Sequence, residues 1–249
     1  MKSLLILIEK FDFTFWWPVD LLYHEKTNGD WRVEVIIGAI LTQNTRWNIV
    51  EKNIEYLKSK GFIFDLENIL KLDLDDIKVP MKVRKLETLK NLAKNILENF
   101  NSIEEMKKED LSNLRKFLLN LKGIGYETCD VILLYSLEKP IFVVDNYTKK
   151  FLYYNKEINE INISYERLRK IIEEFIKDRY NEILSIFRKK VEKISCKEVL
   201  NYYFKKSYGD LPLNPCSLSD NFENNLVIIY KELHGMIDIF IKSGNKEIK

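Results

Sequence analysis

"FLLNLKGIGYETCDVILLYSLEKPIFVVDNYTKKFL", residues 117–152, decides how this chain folds. A helical pattern over Leu111–Leu121 ends at Lys122-Gly123-Ile124-Gly125, and a new helix is expected to begin around Tyr126–Thr128. Two glycines bracketing one apolar residue permit a tight turn with positive φ. They also leave backbone N–H groups exposed at a helix N-terminus, which suits a phosphate oxygen. Ile124 is placed to plug the seam between the two helices. A GxG alone would equally mark a plain helix–turn–helix connection. The context adds weight: a helix on each side and then, 20 residues after Gly125, a lone Asp145 at the end of an apolar run.

Outward from this segment, helical periodicity dominates. Apolar positions recur at i, i+3 and i+4 in Val33–Leu57, Leu86–Phe100, Thr128–Leu137, Tyr165–Ile176, Tyr180–Ile194 and Asn224–Ile241. The best strand candidate is short, "IFVVD" at 141–145. The expected class is therefore all-α, with roughly ten helices and no internal repeat. "YGDLPLNPCSLSD" at 208–220, with two prolines and a glycine, reads as the clearest loop.

Composition sets bounds on function. The 249 residues are 46% hydrophobic and 31% charged, with 40 Lys+Arg against 38 Asp+Glu and a net charge of only +2. A nucleic-acid partner would then need local basic patches. Two basic runs qualify, each also readable as a solvated helix face: Lys78, Lys82, Arg84, Lys85, Lys90 and Lys94, and Arg188, Lys189, Lys190, Lys193, Lys197, Lys205 and Lys206. Three cysteines (Cys129, Cys196, Cys216) without CxxC spacing point to a reducing compartment, and away from a disulfide framework or a four-cysteine metal site. The apolar run Leu4–Ile8 is too short to span a membrane. A soluble, intracellular chain with no membrane partner is the expectation.

"FDFTFWWPVD", residues 11–20, follows neither period: it does not alternate, and Pro18 argues against a continuous helix. Trp16 and Trp17 either pack the core between terminal segments or offer aromatic faces to a ligand. Of the two histidines, His24 lies in a polar stretch and is expected to be exposed. His234 either faces a pocket or is a satisfied, partly buried histidine.

Residues 117–152 resemble the helix–hairpin–helix plus Gly/Pro…Asp signature of the endonuclease III superfamily of DNA glycosylases. The hairpin is Leu121-Lys122-Gly123-Ile124-Gly125, with Lys122 where the family usually has proline, and Pro140 and Asp145 match the remainder. "IIGAILTQNTRWNIV" at 36–50 is similar to the family's early helix and its Gln-bearing loop; in the C-terminal third only "ELHG" at 232–235 looks familiar. The resemblance implies a two-lobed fold. A central helical barrel would span 30–140, with the helix–hairpin–helix at 111–137. A terminal lobe of 1–29 plus 141–249 would carry Asp145, with the cleft between the lobes. The implied partner is double-stranded DNA bearing a damaged base, bound by a monomer.

The resemblance also implies roles. Asp145 would be the catalytic carboxylate, stabilising positive charge at the sugar and orienting water; its alternative is the N-cap of a helix over Asn146–Tyr153. Gln43, Asn44, Lys122, Gly123, Ile124, Gly125 and Thr128 would contact DNA. Gln43 and Asn44 would wedge into the gap left by the extruded base, with helix C-capping the rival role for Asn44. Family members that nick the backbone carry a Schiff-base lysine at the position of Glu127, and a carboxylate cannot form an imine, so a monofunctional enzyme is implied. Cys196 and Cys216 are too few for the family's C-terminal [4Fe–4S] cluster, so no cofactor is expected. Trp16, Trp17, Pro18 and Trp47 resemble the pocket of the 3-methyladenine branch, where aromatic faces select cationic purines. The alternatives are a superfamily glycosylase for oxidised or mismatched bases, and a non-catalytic helix–hairpin–helix DNA-binding protein.

Overall fold

The computed structural model describes residues 1–204 and 211–248, with nothing specified for the side chains of Tyr203 and Phe204. Lys205, Lys206 and the first three residues of the 208–220 loop lie outside the described residues. Among the described residues the chain is all helix and loop, with no strand. The elements run α1 (Lys2–Lys10), α2 (Leu21–Thr27), α3 (Trp31–Leu41), α4 (Trp47–Ser59), α5 (Leu66–Lys71), α6 (Lys82–Phe100) and α7 (Ile103–Lys108). They continue as α8 (Leu111–Leu119), α9 (Tyr126–Val131), a π-helical turn (Ile132–Ser136), α10 (Asn146–Tyr154), α11 (Tyr165–Asp178), α12 (Tyr180–Val191), α13 (Cys196–Phe204) and α14 (Phe222–Lys242). Aspartates and their polar analogues set many starts. Asp20, Asp30, Asp65, Ser102, Asp110, Asp145 and Asn221 each accept a first-turn backbone N–H of the helix that follows.

The chain packs as two compact units. One is built from Val19–Glu138; the other holds Met1–Pro18, Lys139–Tyr203 and Leu211–Lys249. In the first, α3 is the central rod. Every residue from Val33 to Leu41 is buried, and α4, α6, α9 and the π-helical turn pack around it. The apolar period from Val33 to Leu57 is interrupted at 42–46: Asn44 takes a left-handed φ of 50° and the chain turns before α4. Lys85 enters this interior. It is 1% exposed and its Nζ donates to Leu41 O (2.7 Å) and Thr45 Oγ1 (2.6 Å), satisfying a carbonyl at the end of α3. The first basic run is therefore not wholly a solvated face.

In the second unit α14 is the buried rod, covered by α1 and α10. Phe240 meets Phe11 and Phe151 edge-on, at 5.4 and 5.5 Å between ring centroids. Residues 141–144 are buried but pair with no strand. Phe142 N–H donates to Glu173 Oε1 (2.8 Å) and Val144 N–H to the Tyr165 hydroxyl (3.3 Å). Side chains of α11 thus supply the acceptors a neighbouring strand would have given, which is why the strand expected at 141–145 does not form.

Two further expectations are corrected. His24 is buried, 4% exposed: its face of α2 turns inward, its Nε2 lies 2.6 Å from Glu34 Oε2, and Lys58 closes the cluster on Glu34 Oε1 at 3.0 Å. A polar neighbourhood in sequence did not reveal that buried partner. Cys196 and Cys216 form a disulfide, with Cα atoms 5.9 Å apart, whereas Cys129 stays a buried thiol directed at Arg115 O. One bridge plus one thiol accounts for the odd count. Spacing alone hid the pair because its two cysteines stand 20 positions apart, outside any short motif. No helix among the described residues is long and apolar enough to cross a membrane.

Candidate active site

Asp145 ends the buried 141–144 run and caps α10: its Oδ1 accepts the Thr148 N–H at 2.7 Å. Its other oxygen, Oδ2, lies 4.0 Å from His234 Nε2 of α14, and both side chains are only slightly exposed. Asp238, one turn further along α14, has its carboxyl pushed up, first by burial and then by the charge of Asp145, with His234 acting in the opposite sense. Capping uses one carboxylate oxygen and leaves the second facing a short polar cluster.

α14 also carries the floor of a cavity. Met236 and Ile239, with Phe11, Asp12, Phe13, Thr14, Trp16 and Pro18, enclose about 430 Å³ in the same unit as Asp145. The 11–18 segment has no regular structure, a left-handed Phe15 (φ 50°) and a cis bond between Trp16 and Trp17. Trp16 is half-buried at the cavity, whereas Trp17 is 8% exposed and belongs to the core. A buried carboxylate docks the segment on α14. Glu232 accepts from Thr14 N (2.5 Å) and Thr14 Oγ1 (3.0 Å) through Oε2, and from Phe15 N (3.0 Å) through Oε1. Burial pushes this carboxyl up to about 7, against the opposing effect of those hydrogen bonds and of Lys231. Gly235 completes the dock: a Cβ there would fall 2.4 Å from Thr14 Oγ1.

The hairpin lies in the other unit. Gly123 needs to be glycine on two counts, a φ of +94° and a Cβ position only 2.3 Å from Thr88 Oγ1. Gly125 is extended and caps α9, with open space around it, so positive φ is required at one glycine of the pair. Ile124 is buried in the seam and Lys122 is exposed beside it. Arg115 of α8 grips the fully buried Asp130 of α9 with two hydrogen bonds (2.7 and 3.1 Å), making the hairpin a rigid unit. Gln43 joins it: Nε2 donates to Gly123 O and Thr128 Oγ1, both at 3.0 Å. Asn44 beside it is exposed in its left-handed conformation. Gln43, Asn44, Gly123, Gly125, Glu127 and Thr128 surround a polar cavity of about 290 Å³, with Arg84 and Lys85 on its wall. Trp47 opens α4 in this unit and is half-buried.

The expected residues thus fall into two sets. Gln43, Asn44 and the hairpin residues come together in one unit; Trp16, Pro18 and Asp145 lie in the other, linked through α14. Sequence reasoning missed Glu232 and Lys85. The first had a signal: it opens "ELHG", the stretch of the C-terminal third that looks familiar. Lys85 had none, being one of several lysines in a basic run.

An all-helical fold with a Gly-Ile-Gly hairpin, a Gln-bearing loop docked on it and an aspartate capping the helix after an apolar run is the arrangement of base-excision glycosylases. The chain belongs to the HhH-GPD superfamily of base excision DNA repair proteins, whose model matches residues 37–195. It is 37% identical over 197 residues, 76% of either chain, to a Methanocaldococcus jannaschii protein named as a candidate DNA repair glycosylase. It is similar to the solved structure of the H. pylori 3-methyladenine DNA glycosylase MagIII bound to 1,N6-ethenoadenine, with a TM-score of 0.66, 25% identity, and coverage of 98% of this chain and 95% of that one. The M. jannaschii 8-oxoguanine glycosylase/lyase in complex with DNA shares the fold, with a TM-score of 0.50, 16% identity and 92% and 89% coverage. The chain is a DNA glycosylase of this superfamily, and DNA is its substrate.

Proposed function

We propose that this glycosylase hydrolyses the N-glycosidic bond of alkylated purines such as 3-methyladenine and is monofunctional, leaving an abasic site. The observation that carries the reading is the cavity at Trp16 and Pro18, apolar-walled, aromatic and sharing α14 with Asp145. A cationic purine already has a weakened glycosidic bond. Binding it against an electron-rich indole contributes about 0.5–2 kcal/mol per face and needs no strong acid. Trp16 and Pro18 would hold the base, with Trp17 as support behind them.

In this mechanism Asp145 Oδ2 faces the sugar as positive charge develops there and orients the attacking water, while Oδ1 stays fixed by the Thr148 N–H. The hairpin residues Lys122, Gly123, Ile124, Gly125 and Thr128 would bind the backbone of one strand, and Asn44 would enter the gap left by the flipped base. Gln43, with its amide N–H groups engaged by Gly123 O and Thr128 Oγ1, would keep that loop in register with the hairpin. Glu127, exposed on the first turn of α9, offers no amine for an imine. The lobes expected from sequence, 30–140 and 1–29 plus 141–249, are part of this proposal, as is action as a monomer without a cofactor. A panel of single-lesion duplexes tests the reading: 3-methyladenine should be released, and oxidised pyrimidines and mismatched thymine should not. Borohydride should trap no covalent enzyme–DNA adduct.

A further inference from the structure

Resting on the reading that Trp16 and Pro18 line the base pocket, we propose that Glu232 is the positioning residue of that pocket, its carboxylate holding Trp16 through Thr14 in the conformation that receives the flipped base. Three observations converge. The segment it grips is not self-supporting: residues 11–18 have no ladder or helix of their own, and Phe15 sits at a φ of 50°, which a bulky aromatic adopts only when its surroundings impose it. Glu232, 1% exposed, supplies what is missing, with Oε2 taking Thr14 N–H and O–H and Oε1 taking Phe15 N–H. The grip then passes outward, because Thr14 Oγ1 in turn accepts the Trp16 N–H, at 3.4 Å. A threonine hydroxyl has one hydrogen. With that hydrogen directed at the carboxylate, its lone pairs face Trp16.

The device is sensitive to protonation. A neutral carboxyl sets its own O–H among converging donors, so with the proton on Oε2 the Thr14 hydroxyl must turn to accept from it and the Thr14 N–H is left with a weaker acceptor. Burial pushes the Glu232 carboxyl up to about 7, placing that change near neutrality. The charged groups around it are Lys231 on α14 and Lys190 on α12, the latter also donating to Phe11 O. Asp12 and Glu9 act on Lys190 from the segment and from α1. Gly235 serves the same end from one turn away by letting Thr14 approach α14.

The test uses the full chain labelled with fluorotryptophan, its Trp16 and Trp17 fluorine resonances assigned with Trp→Phe variants and followed against pH. Excision of 3-methyladenine from methylated duplex is measured alongside at each pH. The Trp16 resonance should move with a midpoint near about 7 in the wild type and stay flat in Glu232→Gln, whose single amide oxygen cannot serve both sets of donors. Glu232→Gln should lose about tenfold or more in the excision step, with DNA affinity little changed, and should lose the rise in rate through neutral pH. Thr14→Val should uncouple Trp16 from pH in the same way, and Thr14→Ser, which keeps the hydroxyl, should restore it. This pair decides the matter if Glu232→Gln fails to fold. A pH-independent Trp16 in the wild type, or a Glu232→Gln enzyme with wild-type excision and profile, overturns the proposal. A titrating Trp16 in a wild type that releases no base leaves the Glu232 grip standing and sinks the substrate reading instead.

Discussion

At the scale of single residues, Asp145 caps α10 with one oxygen and, in the proposed mechanism, turns the other toward the sugar. Asparagine caps a helix about as well as aspartate, so Asp145→Asn should leave α10 and the melting temperature nearly unchanged while removing the charge proposed to stabilise the transition state. A loss of about a hundredfold or more in single-turnover excision, with thermal stability kept, is the expected outcome. The two tryptophans should separate in a similar way. Trp17→Ala empties a core position and should lower unfolding free energy by about 3–5 kcal/mol in denaturant titration. Trp16→Ala should spare more of the stability and lose more of the excision. Glu232 adds a pH dependence of stability. Its folded-state pKa is raised, so the folded protein holds the proton that the unfolded chain releases near the usual glutamate value; stability falls as pH rises from about 4.5 to about 7. Glu232→Gln should flatten that window in pH-dependent melting. Asp145 and the tryptophans could be singled out from sequence because motif and composition mark them. The hydrogen bonds of Glu232 join positions more than 200 apart in the chain, a distance no local pattern spans.

At the scale of elements, the hairpin and its Gln-bearing loop behave as one piece. Gly123 is the joint. An alanine there meets both the positive φ and the side chain of Thr88, and the strained φ alone costs about 1–3 kcal/mol. Gly123→Ala should therefore lower stability in chemical denaturation and weaken binding to duplex DNA, whereas Gly125→Ala, with open space around its Cβ position, should be the milder change. The contrast explains what could be read in advance. A helix pattern and a glycine pair are local signals, so α8, α9 and the turn between them were legible. Which glycine carries the positive φ depends on Thr88 from another helix, and no local signal reports that. Residues 141–144 make the same point. A short β-branched and aromatic run suits a strand, but the partners that arrive are Glu173 and Tyr165 from α11.

At the scale of the whole molecule, the chain is near-neutral, and net charge says little about its partner. The Cys196–Cys216 bridge joins the first residue of α13 to the stretch before α14, 20 positions apart. Reductant should lower the unfolding free energy by about 3 kcal/mol, read as a shift in the melting curve with and without dithiothreitol. The central claim remains the reaction itself, and one measurement reaches it most directly: mass analysis of the bases released from methylated duplex DNA by the wild-type protein and by Asp145→Asn, with strand cleavage followed in the same samples. Free 3-methyladenine from the wild type, none from Asp145→Asn and an unbroken backbone in both are the predicted result. Equal release by the two proteins, or strand breakage trapped as a covalent adduct, would contradict it.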